Sequence, residues 1–537
     1  MVAGDTASII RVPAVRRRRP GRKAVLLAGV DIGSTAVRMR LAEFAPDASL
    51  KLLEELSHPI ATGADTFRHG YILPDTLNSI CVLLTNYRRL LDDYRVEHRR
   101  AVASSSIRDA ANCEILIDRI RHYCGLELEI LDAVEESRLA YQALLPWLRQ
   151  HQGSYSLALN IGGGSTELMI LRGEDLQLGG SKRLGTSRLF HTVARGGNQL
   201  RAEILKSMTA NIVNTTRDVY QEYSIARFFL INRFLYRAFR DVPEAERHEN
   251  DFVIPAEPLR GHLRQAYWQS PLELGRVFNV GLAEVELLIP AMLILDNFIE
   301  VSEAHDITFT NTEMLTGLLS EMTMTILGEN PLMSFRRQMV RSARAVGERY
   351  FYNRSHARAV TEFSLGLFDA LRNLLDLDDK DRLLLELTAV LHDIGKYVSD
   401  HQHHRHGSYL IKWSDIVGLN ERDRILVSQI AFFHRKETPS EEHPEYLALA
   451  PGDRIRVSKL AGILRLADVL DRGHQQDVKG LRVDLAPDKL LLHLQIEVDL
   501  GLILNTLPKK ANLLEQVIGL PIVLRREMPK IHPKNAL

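Results

Sequence analysis

A Gly-rich segment that occurs twice constrains the fold of this chain more than any other feature. The two copies are residues 24–44 and residues 154–176. Each copy has an apolar strand, a turn of small residues and a second strand of alternating polarity, which is typical of a β-hairpin. Because strand-like and then helical sequence follows each hairpin, the duplication predicts two α/β halves facing a cleft, with one Gly-rich turn from each half at its floor.

The two turns predict a binding site for phosphate. Glycines after a strand let the backbone take positive φ angles and approach a ligand, and successive N–H groups can then form a concavity for an anion. The turns lack the Lys of a P-loop and the GxGxxG order of a dinucleotide-binding fingerprint. The predicted phosphate-binding residues are Gly33, Ser34, Thr35, Gly163, Gly164, Ser165 and Thr166.

Two other segments carry groups that suit phosphate chemistry. Arg108 follows a predicted strand and a run of small residues, and a guanidinium binds two phosphate oxygens at once. Glu135 and Glu136 begin a predicted helix, and a carboxylate beside bound phosphate can act as a general base on water. Negative charge at a helix N-terminus is also favoured by the helix dipole, so these residues alone leave a structural role open.

Composition excludes several classes of protein. Lys+Arg and Asp+Glu both number 68, so no overall field favours DNA or a membrane surface as partner. No apolar run approaches the roughly 18 residues of a membrane span. The three cysteines form no CxxC pair, which favours a reducing compartment, and we expect a cytoplasmic protein.

The character of the sequence changes along the chain. Residues 1–23 are rich in arginine and lack a signal-peptide pattern, which predicts a disordered basic tail, with contact to a polyanion as the alternative. Helical periodicity dominates after about residue 328, and short alternating runs return after Lys479. The predicted domains are the tail 1–23, two α/β halves at 24–145 and 146–328, a helical domain at 329–480 and a small α/β region at 481–537.

Four motifs together resemble the exopolyphosphatase / guanosine pentaphosphate phosphatase (Ppx/GppA) family. They are DIGST at 31–35, ASSSIRDAAN at 103–112, EESRL at 135–139 and NIGGGSTEL at 160–168. The resemblance implies duplicated actin/Hsp70-like (ribonuclease H-like) phosphatase domains followed by an all-α HD-type domain and a small α/β piece. It also implies a homodimer that uses Mg²⁺ and water to release terminal phosphate from polyphosphate or pppGpp.

The same resemblance assigns roles to single residues. It implies that Glu136 is the base that activates water, with Glu135 as the fallback, and that Arg108 binds phosphate. The implied ligands of Mg²⁺ or its waters are Asp31, Asn160 and Glu167. The family usually has Asp where this chain has Asn160, so we expect weaker metal binding here. It also has a Gly-Gly-Thr turn where this chain has the apolar, basic segment FFLINRFLYRAF, residues 228–239.

Histidines and aspartates recur along the helical region. Such residues on successive helices suit Mn²⁺, Fe²⁺ or Zn²⁺, which can generate hydroxide and hold a phosphate ester. The pattern resembles the HD-domain phosphohydrolase superfamily, although any one of these histidines could be an ordinary core or surface residue. The predicted ligands are His356, His392, Asp393, His406, His434 and Asp468; spacing does not choose between His404 and His406.

Three functions remain open. The first is a phosphatase acting at the Gly-lined cleft. The second is a degenerate cleft combined with an HD site that cleaves nucleotide phosphoesters, and the third is a non-catalytic sensor of a phosphorylated nucleotide or polyphosphate. The sequence does not choose polyphosphate over pppGpp. Candidates for lining a polyphosphate channel are Lys412, Arg435, Lys436 and Arg465.

Overall fold

The chain forms two compact units in the computed structural model, residues 1–331 and 332–537. The structure describes residues 9–10, 24–47, 49–151, 153–192, 206–211, 213, 222–267, 269–414, 416–496 and 501–527. Apart from Ile9 and Ile10, the predicted basic tail of residues 1–23 lies outside the described residues. Within the described ranges, no helix combines the length and the apolar character that a membrane span requires.

A six-stranded sheet forms the first half of unit 1. Its strands are β1 (Ile9–Ile10), β2 (Val25–Ile32), β3 (Ala36–Phe44), β4 (Leu50–Pro59), β5 (His98–Ala103) and β6 (Leu128–Ile130). They lie in the order β1-β4-β3-β2-β5-β6. Strands β2, β3 and β4 form an antiparallel meander, whereas β5 is parallel to β2 and β6 is parallel to β5.

A seven-stranded sheet repeats this arrangement in the second half of unit 1. Its strands are β7 (Tyr155–Ile161), β8 (Thr166–Arg172), β9 (Asp175–Lys182), β10 (Ile225–Ile231), β11 (Glu246–Arg247), β12 (Asp251–Pro255) and β13 (Asp306–Thr310). Again a meander, β7-β8-β9, is followed by two parallel strands, β10 and then β13, while β12 adds an antiparallel edge. The predicted duplicated α/β fold is confirmed.

Helices cover the two sheets of unit 1. They are α1 (Thr62–His69), α2 (Pro74–Asp93), α3 (Ser105–Arg108), α4 (Cys113–Cys124), α5 (Ala133–Gln150), α6 (Thr186–Thr192), α7 (Arg233–Phe239), α8 (Ala256–Ala266), α9 (Pro271–Val277), α10 (Leu282–Ser302) and α11 (Met314–Ile326), and residues 206–211 are also helical. Helix α10 is apolar on most sides because it is buried in the core of the second half. Helices α5 and α11 pack so closely that a Cβ on Gly317 would lie 2.0 Å from the carbonyl oxygen of Leu139.

Unit 2 combines helices with a three-stranded sheet. Its helices are α12 (Pro331–Arg349), α13 (Arg354–Leu371), α14 (Asp379–Leu391), the 3-10 helix Ile394–Tyr397, α15 (His403–Lys412), α16 (Glu421–Phe432), α17 (Pro444–Leu447), α18 (Pro451–Leu470) and α19 (Gly501–Ile518). The strands are β14 (Val478–Leu485), β15 (Leu490–Ile496) and β16 (Ile522–Glu527). Strand β14 packs on α13 and α19 packs on α18, so helices and sheet share one compact unit.

Candidate active site

The two Gly-rich turns meet at a cleft between the halves of unit 1. The first turn joins β2 to β3 and the second joins β7 to β8, so each stands where a central strand of its sheet ends. Both turns line the cleft, whose volume is about 130 Å³. The charged and amide side chains in its wall are Asp31, Arg38, Glu136, Asn160, Asn232, Arg233 and Glu313.

The glycines of these turns are needed for close packing rather than for unusual backbone angles. Among the described residues, the glycines with positive φ do not include those at positions 33, 162, 163 and 164, which corrects the expectation from the sequence. A Cβ on Gly163 would lie 1.6 Å from Oγ of Ser34, and a Cβ on Gly164 would lie 2.1 Å from Oγ of Ser105. The missing side chains let the two halves approach each other at the cleft.

Some backbone N–H groups in the turns have partners and others do not. Gly33 donates to the carbonyl of Ala36 at 3.0 Å, and Gly162 donates to the carbonyl of Ser165 at 2.9 Å. Within the described part of the chain, the N–H groups of Ser34 and Gly163 find no acceptor. Both residues line the cleft, so these two donors are left for an anion.

Three of the predicted phosphate-binding residues do not line the cleft. Ser165 donates its hydroxyl to Oε1 of Glu167 at 2.6 Å, and Thr166 donates its hydroxyl to the carbonyl of Leu184. Gly164 packs against Ser105 instead. Because both hydroxyls are buried and already bonded, the structure corrects their predicted role, whereas Gly33, Ser34, Thr35 and Gly163 do line the cleft.

The two adjacent glutamates have different roles. Glu135 completes a capping box at the start of α5: its side chain accepts from the N–H of Asp132 at 3.0 Å, and its own N–H donates to Oδ1 of Asp132 at 2.9 Å. Glu136 is buried and lines the cleft. The side chain of Glu135 is therefore used by the helix cap, and of the two glutamates only Glu136 faces a ligand in the cleft.

Glu136 is paired with Arg108. Nη1 of Arg108 lies 2.6 Å from Oε1 of Glu136, and the same nitrogen donates to the carbonyl of Leu131. Burial raises the pKa of Glu136 to about 8, with Glu167 and Asp31 adding repulsion and Arg108 acting in the opposite direction. A carboxyl group that titrates near neutral pH is suited to accept a proton from water.

Asp31 and Glu167 are two further buried carboxylates at the site. Burial raises the pKa of Asp31 to about 6, and its Oδ1 has no hydrogen-bond partner among the described residues. Glu167, whose pKa burial also raises, accepts from Nδ2 of Asn160 at 2.8 Å. Carboxylate and amide oxygens are the ligands that Mg²⁺ prefers, so Asp31 and Asn160 fit a divalent cation. Glu167 lies outside the lining of the cleft, behind Asn160.

Several polar side chains at the cleft were not predicted from the sequence. Glu313 lines the cleft, and although burial favours its neutral form, Arg40 and Arg38 hold its pKa below the usual range. The segment 228–239 contributes Asn232, whose Nδ2 donates to the carbonyl of Ile161 at 2.7 Å, and then Arg233. The alternating pattern of β3 could have indicated Arg38 and Arg40, but no local signal marks Glu313 or Arg233.

A second cluster of ionisable side chains lies inside unit 2. Each of three groups of side chains there could hold a metal ion: His356 with His392 and Asp468, Asp393 with His403 and His434, and His356 with Asp393 and His474. In the first group Nε2 of His356 lies 3.3 Å from Nε2 of His392. In the second group Nε2 of His403 lies 3.3 Å from Nε2 of His434.

Asp393 belongs to the second group and also faces His356 of the first group. Its Oδ1 is 3.3 Å from Nε2 of His403, and its Oδ2 is 3.6 Å from Nε2 of His356. Nδ1 of His392 donates to the carbonyl of Ala389 at 2.8 Å, and Nδ1 of His434 bonds the carbonyl of Ala431 at 2.6 Å in the same way. With Nδ1 as the donor, Nε2 of both rings carries the lone pair and faces the cluster, as in metal-binding histidines.

Five of the six predicted ligands belong to this cluster, and His406 does not. The structure places His403 there instead, because the first turn of α15 packs against the 3-10 helix: a Cβ on Gly395 would lie 2.0 Å from the carbonyl oxygen of His403. His474, in the third group, was not predicted from the sequence either. The channel candidate Arg465 is buried and donates to backbone carbonyls, among them that of Phe433 at 3.1 Å, so it is not a channel residue.

Comparison with known proteins identifies the class. The sequence profile of the Ppx/GppA phosphatase family matches residues 47–325, half of the chain, and the profile of Ppx/GppA phosphatase domain III matches residues 338–515. The chain belongs to the Ppx/GppA phosphatase family, which confirms the resemblance inferred from the four motifs.

Individual relatives agree with this assignment. A guanosine-5'-triphosphate,3'-diphosphate pyrophosphatase from Vibrio vulnificus is 24% identical over 87% of this chain and 91% of its own length. The enzyme of that name from Photobacterium profundum is 23% identical with the same coverage. The crystal structure of an exopolyphosphatase from Cytophaga hutchinsonii has a TM-score of 0.51 and 16% identity, and covers 57% of this chain and 99% of its own, so more than half of the chain shares its fold.

Proposed function

We propose that this protein releases the terminal phosphate of a phosphoanhydride chain at the Gly-lined cleft. The observation that carries the proposal is the Arg108–Glu136 pair, 2.6 Å apart, beside the unpartnered N–H groups of Ser34 and Gly163. The cleft wall provides anion donors and a buried carboxylate, and the guanidinium of Arg108, outside the lining, is bonded to that carboxylate. These are the groups that phosphoryl transfer to water requires.

Each group has a defined task in this mechanism. The N–H groups of Ser34 and Gly163, with Arg108, bind oxygens of the terminal phosphoryl group. Glu136 accepts a proton from the attacking water while the water oxygen bonds to the terminal phosphorus. The bond between that phosphorus and the bridging oxygen breaks, and the shortened chain leaves with the bridging oxygen. Asp31 and Asn160 would hold Mg²⁺, which neutralises charge on the phosphate when bound.

The substrate is proposed from the relatives. The Vibrio and Photobacterium enzymes are named for hydrolysis of guanosine 5'-triphosphate 3'-diphosphate, and the Cytophaga protein is named an exopolyphosphatase. We therefore propose pppGpp or polyphosphate as substrate. All three cysteines are free thiols, which supports a cytoplasmic location. We also propose a homodimer; its mass in solution is directly measurable.

A pair of isosteric variants tests the role of Glu136. Phosphate release from pppGpp and from polyphosphate with Mg²⁺ should fall about 10²- to 10⁴-fold in Glu136→Gln, the usual loss for a general base. Glu135→Gln is the matched control, because Gln keeps the hydrogen bond of the capping box, and its rate should stay within a few-fold of wild type. Equal rates in the two variants would remove Glu136 from the proposed role.

The cluster in unit 2 supports a second candidate function, a metal-dependent phosphohydrolase. What favours it is the position of Asp393, whose two oxygens face two different groups of histidines. A carboxylate so placed suits a pair of transition-metal ions, which can clamp a phosphate ester and activate water. The ions that fit imidazole and carboxylate ligands are Mn²⁺, Fe²⁺ and Zn²⁺.

Metal content tests this second candidate. We expect purified protein to retain transition metal after dialysis, and His403→Ala to lose part of it. His406→Ala is the matched control on the same helix, because His406 stands outside the cluster, and it should keep the metal. A nucleotide phosphoesterase activity that needs Mn²⁺ and is lost in His403→Ala would assign the activity to this site. Identical metal content in both variants would rule out this second candidate function.

A further inference from the structure

A cavity beside helix α7 is distinct from the cleft. It is formed by α7, residues 240–243, the C-terminal part of α8 and the end of α9. The described residues that line it all differ from those that line the cleft. Its volume is about 540 Å³, within the ~300–1,000 Å³ typical of small-molecule sites. The size and the separate lining indicate a second binding site, which the proposed hydrolysis does not use.

Two oppositely charged side chains stand next to each other in the wall without pairing. Among the described residues, the guanidinium of Arg240 has no hydrogen bond and no ion pair. Asp241 is 86% exposed, and its Oδ1 lies 3.9 Å from Nη2 of Arg247, too far for a hydrogen bond. Nε of Arg247 donates to the carbonyl of Arg240 at 2.8 Å, so this part of the backbone is held in place. A single zwitterionic ligand satisfies both charges.

Gln269 adds a hydrogen-bond acceptor to the wall. Its Oε1 is buried and has no partner within the part of the chain that the structure describes. Buried polar atoms in native proteins are nearly always hydrogen-bonded, so this oxygen indicates a donor on a bound molecule. An ammonium group carries three N–H donors, and it suits both the amide oxygen of Gln269 and the carboxylate of Asp241.

Apolar side chains form another part of the wall. Val242, Val277 and Phe278 line the cavity, and Val277 is 61% exposed although it is apolar. The neighbouring positions Ala238 and Ala266 carry small side chains, which leave room for a ligand. Covering exposed apolar surface stabilises a complex by about 25 cal/mol per Å². The wall therefore favours a ligand that has a large apolar group in addition to its charges.

We infer that this cavity binds a free α-amino acid with a large apolar side chain. The carboxylate of the ligand pairs with Arg240, and its ammonium group donates to Asp241 and Gln269. Its apolar side chain packs against Val277 and Phe278. An inorganic anion would satisfy only Arg240 and would be repelled by Asp241. The inference goes beyond the proposed hydrolysis and does not depend on it.

Compounds that lack one charge test the chemistry of the ligand. L-Phenylalanine, L-leucine, 3-phenylpropionate, which lacks the ammonium group, and 2-phenylethylamine, which lacks the carboxylate, are titrated calorimetrically into the full-length wild-type protein. We expect L-phenylalanine to bind with a Kd of about 1 mM or less. The two compounds with a single charge should bind at least about tenfold more weakly, the effect of one hydrogen bond to a charged group. No binding of either amino acid, or equal affinity for L-phenylalanine and 3-phenylpropionate, would overturn the inference.

A pair of isosteric variants assigns the binding to this cavity. Asp241→Asn should weaken binding of L-phenylalanine about tenfold, because it removes the negative partner of the ammonium group. The same variant should not weaken binding of 3-phenylpropionate, which has no ammonium group. Glu246→Gln is the matched control: this exposed carboxylate lies close along the chain but outside the cavity, and the affinity should stay at the wild-type value. Unchanged affinity for L-phenylalanine in Asp241→Asn would reject the site.

A Gln269→Leu variant distinguishes a binding role of Gln269 from a role in the fold. Leucine removes a buried acceptor that has no partner, so the free energy of unfolding without ligand should stay the same or rise. Binding of L-phenylalanine should nevertheless weaken, because one acceptor of the ammonium group is lost. Calorimetric titration and chemical denaturation of the same preparation give both values. Lower stability with unchanged affinity would mean that Gln269 serves the fold, and would overturn the assigned contact.

Discussion

At the scale of single residues, the amide of Asn160 avoids charge repulsion with the neighbouring buried carboxylate of Glu167. The residue donates to Oε2 of Glu167 at 2.8 Å, and burial raises the pKa of Glu167. An aspartate at this position would place two buried carboxylates at that separation, which costs free energy unless a cation or a proton lies between them. The amide removes that repulsion and still offers an oxygen to the cleft, so Asn160 is compatible with a working site.

Glu136 makes activity depend on pH. Its pKa is raised to about 8 by burial, with Glu167 and Asp31 adding repulsion and Arg108 opposing. Only the ionised form accepts a proton, so activity is lost as pH falls below this pKa, by about tenfold per pH unit. We expect log(kcat/KM) for phosphate release to rise with unit slope up to about pH 8 and then level off. The residual activity of Glu136→Gln should lack this rise; a profile of the same shape in that variant would assign the titration to another group.

At the scale of elements, the turns depend on the packing of one half of unit 1 against the other. A Cβ on Gly163 would meet Ser34, and one on Gly164 would meet Ser105, so residues from both sheets determine which side chains fit. Overpacking of this kind distorts the backbone that carries the phosphate-binding N–H groups. The glycines therefore allow the two hairpins to lie close together, and this close packing determines the shape of the cleft.

Alanine substitutions at two glycines distinguish steric overlap at the turn from the general effect of replacing glycine by alanine. Gly163→Ala should lower the free energy of unfolding of unit 1 by about 1–3 kcal/mol, because the new methyl group overlaps Ser34. Gly180→Ala is the control, since a Cβ there meets nothing within 4 Å, and its effect should stay within about 0.5 kcal/mol. Chemical denaturation followed by intrinsic fluorescence gives both values. Adding Ser34→Gly should restore part of the loss; no restoration would place the strain elsewhere.

The sequence predicted some elements of the site well and others poorly, for physical reasons. Hairpins with Gly-rich turns are local, so their positions and the phosphate-binding role of Ser34 and Gly163 could be proposed from spacing alone. His403 was missed because the sequence His-Gln-His-His-Arg-His does not reveal where α15 begins, and the packing of its first turn selects the ligand. Glu313 was missed because strand pairing far along the chain brings it to the cleft.

At the scale of the whole molecule, each compact unit contains its own buried cluster of ionisable groups. Duplication made the first unit predictable, because two copies of one pattern must pack as equivalent halves. A larger cavity of about 510 Å³, which shares Arg233 and Glu313 with the cleft, was not predictable. Its residues Arg40, Asp251 and Thr312 come from distant segments, and only the assembled fold makes them neighbours. The helical domain was expected from periodicity, but the third histidine group with His474 was not.

Metal binding should therefore stabilise unit 2 specifically. An ion that binds only the folded state stabilises it by RT ln(1 + [L]/Kd), about 2.7 kcal/mol at a hundredfold excess over Kd, which corresponds to roughly 5–10 °C for a unit of this size. After treatment with EDTA, Mn²⁺ should raise one calorimetric unfolding transition of the full-length protein by that amount. The rise should be reduced in His403→Ala and retained in His406→Ala, because only His403 belongs to the cluster. A full rise in His403→Ala would mean that the ion stabilises the protein from another site, and the cluster would then be a network of buried hydrogen bonds.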